Sequence, residues 1–101
     1  RVVADRYAAA FADLEGVGVL TEPASCRTNA WLNALVLTRP DRAVRDAILE
    51  RLNADGVQVR PLWTLMHRLP MYADAPRAAL PVAEALEDAV INLPSSAALG
   101  R

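Results

Sequence analysis

Apolar positions near the start of the chain recur at spacings of three and four. Val3, Tyr7, Ala10, Phe11 and Leu14 therefore share one face of a helix. Gly16 and Gly18 end that pattern, and Val17 to Leu20 reads as a short strand closed by Glu22-Pro23. Ala24 to Asn29 is small and polar, a loop. Ala30 to Thr38 is too continuously apolar for a strand with one wet face, which predicts a central strand and assigns Trp31 to core packing. Pro40 and Asp41 open a second helix, with Asp41 as N-cap and Val44, Ala47, Ile48 and Leu52 as its buried stripe. That helix stops at Asn53-Ala54-Asp55-Gly56, where Gly56 can adopt the left-handed conformation.

Val57 to Arg60 alternates and predicts a third strand. From Pro61 to Leu80 no period is visible and Pro61, Pro70 and Pro76 interrupt the chain, so this is a long loop. Pro81 suits the first position of a helix carrying Val82, Ala85, Leu86 and Ala89. Ile91 to Leu93 adds a short strand before Pro94-Ser95-Ser96, and Ala97 to Arg101 is too short for another element. The first two strands are joined by a loop too short for a helical crossover, so they pair antiparallel. Strand two, helix and strand three fit a right-handed crossover. The order predicts an α+β two-layer sandwich, a small, mainly antiparallel sheet with helices on one face.

Composition narrows the chemistry. The 101 residues point to one domain, and 20 alanines against 5% aromatic residues point to a core of small side chains. Every basic residue is an arginine: 11 of them face 12 carboxylates, for a net charge of -1. No basic surplus marks a nucleic-acid surface. Pairs such as Asp5-Arg6, Asp41-Arg42 and Arg45-Asp46 read as solvated surface. No apolar run approaches the ~20 residues that span a bilayer. The lone Cys26 excludes an internal disulfide and, with no signal-like start, points to a reducing cytoplasm. Without lysine the chain has no amine for Schiff-base chemistry, and one histidine, His67, cannot supply a zinc site of ordinary ligand count.

Motifs for autonomous catalysis are equally absent. Gly16-Val17-Gly18 lacks the third glycine of a dinucleotide loop, since position 21 is Thr21, and it follows a helix rather than preceding one. Ser25, Ser95 and Ser96 lack a nucleophile elbow. No catalytic residue is assigned. The stretch from Arg60 to Tyr72 differs, gathering Trp63, His67 and Tyr72 with Arg60 and Arg68 in a loop. Guanidinium forks grip phosphate or carboxylate, and Trp and Tyr offer stacking faces. Two readings stand side by side: a loop that holds a polar, partly planar ligand, or a proline-braced loop with Trp63 plugged into the core.

The stretch RPLWTLMHRLPMYADAPRAALPVAEALEDAVINLPSS, from Arg60 to Ser96, strongly resembles the C-terminal region of nucleotide-sugar aminotransferases of the DegT/DnrJ/StrS type. It is most similar to the subgroup acting on 4-keto-6-deoxy N-acetyl sugars on routes to legionaminic acid and bacillosamine. Thr28-Asn29-Ala30-Trp31-Leu32-Asn33 resembles that subgroup's Asn-x-Trp-Leu-Asn strand start. RVVADRYAAAFADLEGV and LNADGVQVRP resemble its preceding helix and its helix-glycine-strand junction.

The resemblance implies the small domain of a fold-type I aminotransferase, over residues 1–101. The large domain that carries the pyridoxal phosphate (PLP) lysine would lie outside it, and the family's closing helix would be missing. The start on Arg1-Val2-Val3, with neither methionine nor cap, reads as a cut end. By resemblance the parent enzyme moves an amino group from glutamate through PLP to C4 of a UDP-linked 4-keto sugar, and works as a homodimer. This chain would hold no cofactor and be inactive alone. The resemblance makes Arg60, Trp63 and His67 substrate-side residues, with Asn29 and Tyr72 beside them, and none of them the proton-transfer base. The competing class is an independent α+β module that senses a small anion or sugar nucleotide without catalysis.

Overall fold

The computed structural model describes all 101 residues. Its first helix, α1 (Val2–Phe11), has no capping side chain at Arg1. It ends before Leu14, which is exposed rather than part of the stripe. Tyr7 and Phe11, one turn apart, face the core with ring centroids 6.4 Å apart. Gly16, at a φ of 83°, turns the chain into β1 (Val17–Val19).

The second strand is shorter than its apolar run. β2 spans Asn33–Leu37, not Ala30 to Thr38. Thr28 Oγ1 accepts the Ala30 N–H at 3.1 Å and Asn29 Oδ1 accepts the Trp31 N–H at 3.0 Å. These local bonds offer the backbone an alternative to a ladder, and Ala30 takes a positive φ of 55°. Trp31 is consequently 68% exposed, which overturns its assignment to the core.

Helix α2 (Arg42–Ala54) begins as its sequence requires, with the Asp41 carboxylate accepting the Val44 N–H at 3.1 Å. It ends in a Schellman turn: Gly56 N–H reaches Asn53 O at 3.0 Å and Val57 N–H reaches Leu52 O at 2.8 Å, with Gly56 at φ 83°. Its inward stripe is Arg45, Ile48, Leu49 and Leu52, while Val44 is exposed. The period was legible, but the stripe is rotated because a charged residue occupies one inward position.

β3 is only Arg60–Pro61, displaced from the predicted Val57 to Arg60. Pro61 has no N–H to give a ladder, which limits this strand to the sheet edge. The following segment is not structureless: it forms 3-10 turns at Met66–Arg68 and Pro70–Tyr72. Helix α3 (Pro81–Ala89) starts on Pro81 and runs without a loop into β4 (Val90–Leu93). The tail adds one 3-10 turn, Ala97–Gly100, against α1, where Arg6 donates to Leu99 O at 3.0 Å.

The sheet order is β1-β2-β4-β3 and every pairing is antiparallel. β2 and β3 therefore run parallel, with β4 between them. The strand that looked like a late addition is thus central, and Ile91 is the most deeply buried large side chain, at 0% exposure. Val19, Leu35 and Ile91 are cross-strand neighbours on one face. Tyr7 and Phe11 of α1 and Ile48, Leu49 and Leu52 of α2 cover that face. The fold is α+β with helices on one face of an open sheet, as expected.

The core is small for the chain. Accessible surface is 7467 Å², whereas a compact monomer of 10.9 kDa exposes about 5,600 Å². The radius of gyration is 15.0 Å, against about 13 Å for this length. Ile91→Ala is expected to cost about 2–5 kcal/mol and Asp41→Ala about 1 kcal/mol, both read from urea unfolding midpoints of the intact gene product.

Candidate functional site

The sheet order sets up a groove along the C-terminal half of β4. β4 lies between β2 and β3, so residues entering β2 and leaving β3 form its two sides. Trp31 and Leu32 stand on one side; Arg60 to Thr64 stand on the other. Asn92, Leu93 and the Ser95-Ser96 turn form the floor, and Gln58 closes the edge. The groove measures about 690 Å³, within the size range of small-molecule sites. Asn92 Nδ2 donates to Pro61 O at 3.2 Å, and Asn33 donates its backbone and side-chain N–H groups to Ser95 Oγ at 3.1 and 2.9 Å. These bonds hold the floor in place.

The five residues singled out from sequence divide into three groups. Arg60 and Trp63 line the groove. Trp63 is 69% exposed, which removes the reading in which it plugs the core. His67 and Tyr72 line a separate, mainly apolar hollow of about 370 Å³ with Leu65, Met66, Arg77 and Leu80. The His67 ring is 9% exposed and its Nε2 lies 2.9 Å from Glu84 Oε1, so it faces α3. Asn29 lines neither; its side chain caps the turn that sets Trp31. Sequence reasoning missed Trp31, Gln58 and Asn92 as lining residues. The turn-forming Thr28-Asn29 pair before Trp31 was the available signal that this tryptophan leaves the strand.

A buried carboxylate holds the loop side of the groove. Glu87, 3% exposed, accepts from Arg68, from Arg42 at 3.2 Å and from the Leu65 N–H at 3.2 Å. Asp88 adds an ion pair with Arg42 at 2.6 Å. Burial works against the Arg42 charge, but hydrogen bonding and attraction from Asp88 and Glu87 more than offset it and raise its pKa. Arg45, 6% exposed, donates to the Glu87 carbonyl and pairs with Asp46 at 2.6 Å. Arg45 is therefore buried rather than solvated surface, while Arg42, still half exposed, reaches in to the buried carboxylate.

On the other side, the loop before Trp31 is tied by Glu22, which accepts the Thr28 N–H and Arg1 at 3.2 Å. Arg1 also donates to Thr28 O at 2.7 Å. The Thr28 N–H, and secondarily Arg1, hold the Glu22 carboxyl below its ordinary value of 4.5 against a smaller opposing effect of burial.

With no lysine, the chain has no side-chain amine to attach PLP covalently. No three His, Cys, Asp or Glu residues converge to hold a metal ion. No helix is long and apolar enough to cross a membrane.

The sequence profile of the DegT/DnrJ/EryC1/StrS aminotransferase family matches residues 1–101. The chain belongs to this family. EpsN of Bacillus subtilis (strain 168), named as a pyridoxal phosphate-dependent aminotransferase, is 33% identical over 76 residues, covering 74% of this chain and 19% of that protein. Among solved structures, DesI in the presence of its TDP-sugar product is 31% identical with a TM-score of 0.81, over 94% of this chain and 25% of its own. The aminotransferase TlmJ from Streptoalloteichus hindustanus is 25% identical with a TM-score of 0.77, over 91% of this chain and 24% of its own. The chain thus spans about a quarter or less of the relatives it matches.

Two outcomes are expected within this family member. Glu87→Ala leaves the Leu65 N–H without its acceptor and two arginines without their buried partner, destabilising by about 1–3 kcal/mol; Glu87→Gln, which keeps the acceptor, costs less in the same urea titration. Glu22 titrates lower in the folded state than in the unfolded one. Its contribution is complete above the unfolded value and lost as pH falls through the lowered folded one. Protection of the Thr28 amide, measured against its intrinsic exchange rate, should therefore fall as the pH drops below the ordinary carboxylate value and through the lowered one, and Glu22→Gln should remove that pH dependence.

Proposed function

We propose that this chain is the small, C-terminal domain of a PLP-dependent enzyme that transfers an amino group from glutamate to C4 of a nucleotide-linked 4-keto-6-deoxy N-acetyl sugar. The observation that carries the reading is the family match along all 101 residues, joined to a groove whose uncommitted groups are aromatic and cationic. The large domain supplies the lysine and the principal cofactor contacts in this reading. PLP supplies the carbonyl that carries the amino group between donor and acceptor.

This chain's own residues bind and orient the acceptor. Arg60 offers a planar fork to a diphosphate, and Trp63 offers an apolar face. Trp31 joins them on geometric grounds. His67 and Tyr72, on the neighbouring hollow, and Asn29, behind Trp31, act by shaping the walls. The surface excess of about 1,900 Å² over a compact monomer supports burial against the rest of the enzyme and a symmetric second copy, since a stable interface buries about 800 Å² on each partner. The chain by itself is inactive in this reading.

The test is an amination assay on the intact gene product with PLP, glutamate and UDP- or TDP-linked 4-keto-6-deoxy sugar. Amino-sugar formation is expected, and Trp63→Ala should raise KM about tenfold while changing kcat less, because it removes binding that ground and transition states share. Absence of amination with either nucleotide sugar would overturn the reading.

A further inference from the structure

The segment from Trp63 to Ala79 is fastened to the domain in one place. Its backbone hydrogen bonds close within it, as successive single turns from Leu65 to Ala75. Its apolar side chains are exposed or half-buried, and none packs against the core cluster. Arg77 spends its guanidinium inside the segment, on Ala73 O at 3.2 Å.

Every polar tether that leaves the segment ends on α3. His67 Nε2 lies 2.9 Å from Glu84 Oε1, and the Leu65 N–H donates to Glu87 Oε1 at 3.2 Å. Arg68 pairs with Glu87 and, at 3.7 Å, with Asp88. Glu87 and Asp88 follow Glu84 by three and four residues, so one face of α3 presents all three acids.

We propose that Trp63–Ala79 is a strap that leaves α3 as one cooperative unit, with Glu87 and Arg68 as its latch. Glu87, near the C-terminal end of α3 and 3% exposed, requires a cation. Two arginines supply it: Arg68 from the strap and Arg42 from α2, which also meets Asp88 at 2.6 Å. Lifting the strap removes Arg68 and admits water to the carboxylate. Arg42 stays in place, and Arg45 still holds the Glu87 carbonyl. Neither arrangement strands a buried charge, so the two lie close enough in energy to interconvert. Single 3-10 turns do not persist alone, and release of the latch frees them together. Trp63, the first residue of the strap, lines the groove, so the latch decides whether that wall of the groove stands. The strap is a property of the fold and does not depend on which molecule the groove takes.

Hydrogen exchange of the intact gene product, read by mass spectrometry on peptides covering the strap and on peptides covering β2 and β4, tests it. The strap should exchange faster than the two strands. Arg68→Ala removes the strap's half of the latch and leaves Arg42 on Glu87. It should accelerate the whole strap about tenfold and leave the strands within about twofold, and Arg68→Lys should recover most of the loss. In protein carrying fluorotryptophan, with signals assigned by Trp31→Phe and Trp63→Phe, Arg68→Ala should shift the Trp63 fluorine signal and leave that of Trp31 in place. Strap exchange indifferent to Arg68→Ala, or acceleration limited to the residues beside Arg68, would overturn the proposal. Equal acceleration of strap and strands would overturn it as well, since the latch would then be part of the global fold. An unmoved Trp63 signal would overturn the link to the groove.

Discussion

A single buried carboxylate organises the half of the molecule that has no core of its own. Glu87 sits near the C-terminal end of α3, where the helix dipole disfavours negative charge, and it is almost wholly removed from water. Such a charge persists only if it is paired and hydrogen-bonded. Its partners come from α2 through Arg42 and from the long loop through Arg68 and the Leu65 N–H. Arg45 grips the carbonyl of the same residue. The loop from Leu62 to Leu80 is thereby given one position on the domain, with His67 meeting Glu84 a turn earlier on the same helix. Trp63, two residues from the first of these loop anchors, takes its place on the groove from this arrangement.

The hydrophobic layer does a different job. Leu35, Val59, Ile91 and Leu93, roofed by Tyr7, Phe11 and the inward stripe of α2, fix the sheet and hence the direction of β4. That layer is thin. Large apolar side chains remain outside it, including Trp31, Trp63 and Val82. An apolar hollow between α3 and the end of β2, lined by Val36, Pro81, Val82 and Leu86, is likewise open. A domain that covers one sheet face and leaves this much unburied fits a chain spanning about a quarter of its relatives. The energetic division is plain: apolar burial sets the topology, and charge pairing sets the loop that borders the groove.

Much of the architecture was legible because its signals are local. Asp41, Gly56 and Pro81 mark helix ends by the hydrogen-bonding and dihedral properties of single residues, and each stands where those properties place it. What failed were inferences from hydrophobicity alone. The apolar run from Ala30 to Thr38 hid a turn at Thr28-Asn29 that exposes Trp31. A charged residue was discounted from the α2 stripe, yet Arg45 buries its stem there and finds acceptors at its tip. Of the candidate site, Arg60 and Trp63 were visible as residues, while Gln58 and Asn92 were not, because nothing in their neighbourhood marks them.

By itself the sequence determined the order and type of elements and the absence of a lysine amine, since those follow from periodicity, capping residues and composition, and its motifs carried the resemblance to the family. Only the tertiary structure decided that β4 lies between β2 and β3, that Arg60 shares a groove with two exposed tryptophans, and that Glu87 gathers arginines scattered through the chain. Strand order and charge pairing join residues distant in sequence, and no local pattern of side chains encodes which of many compatible partners each will meet.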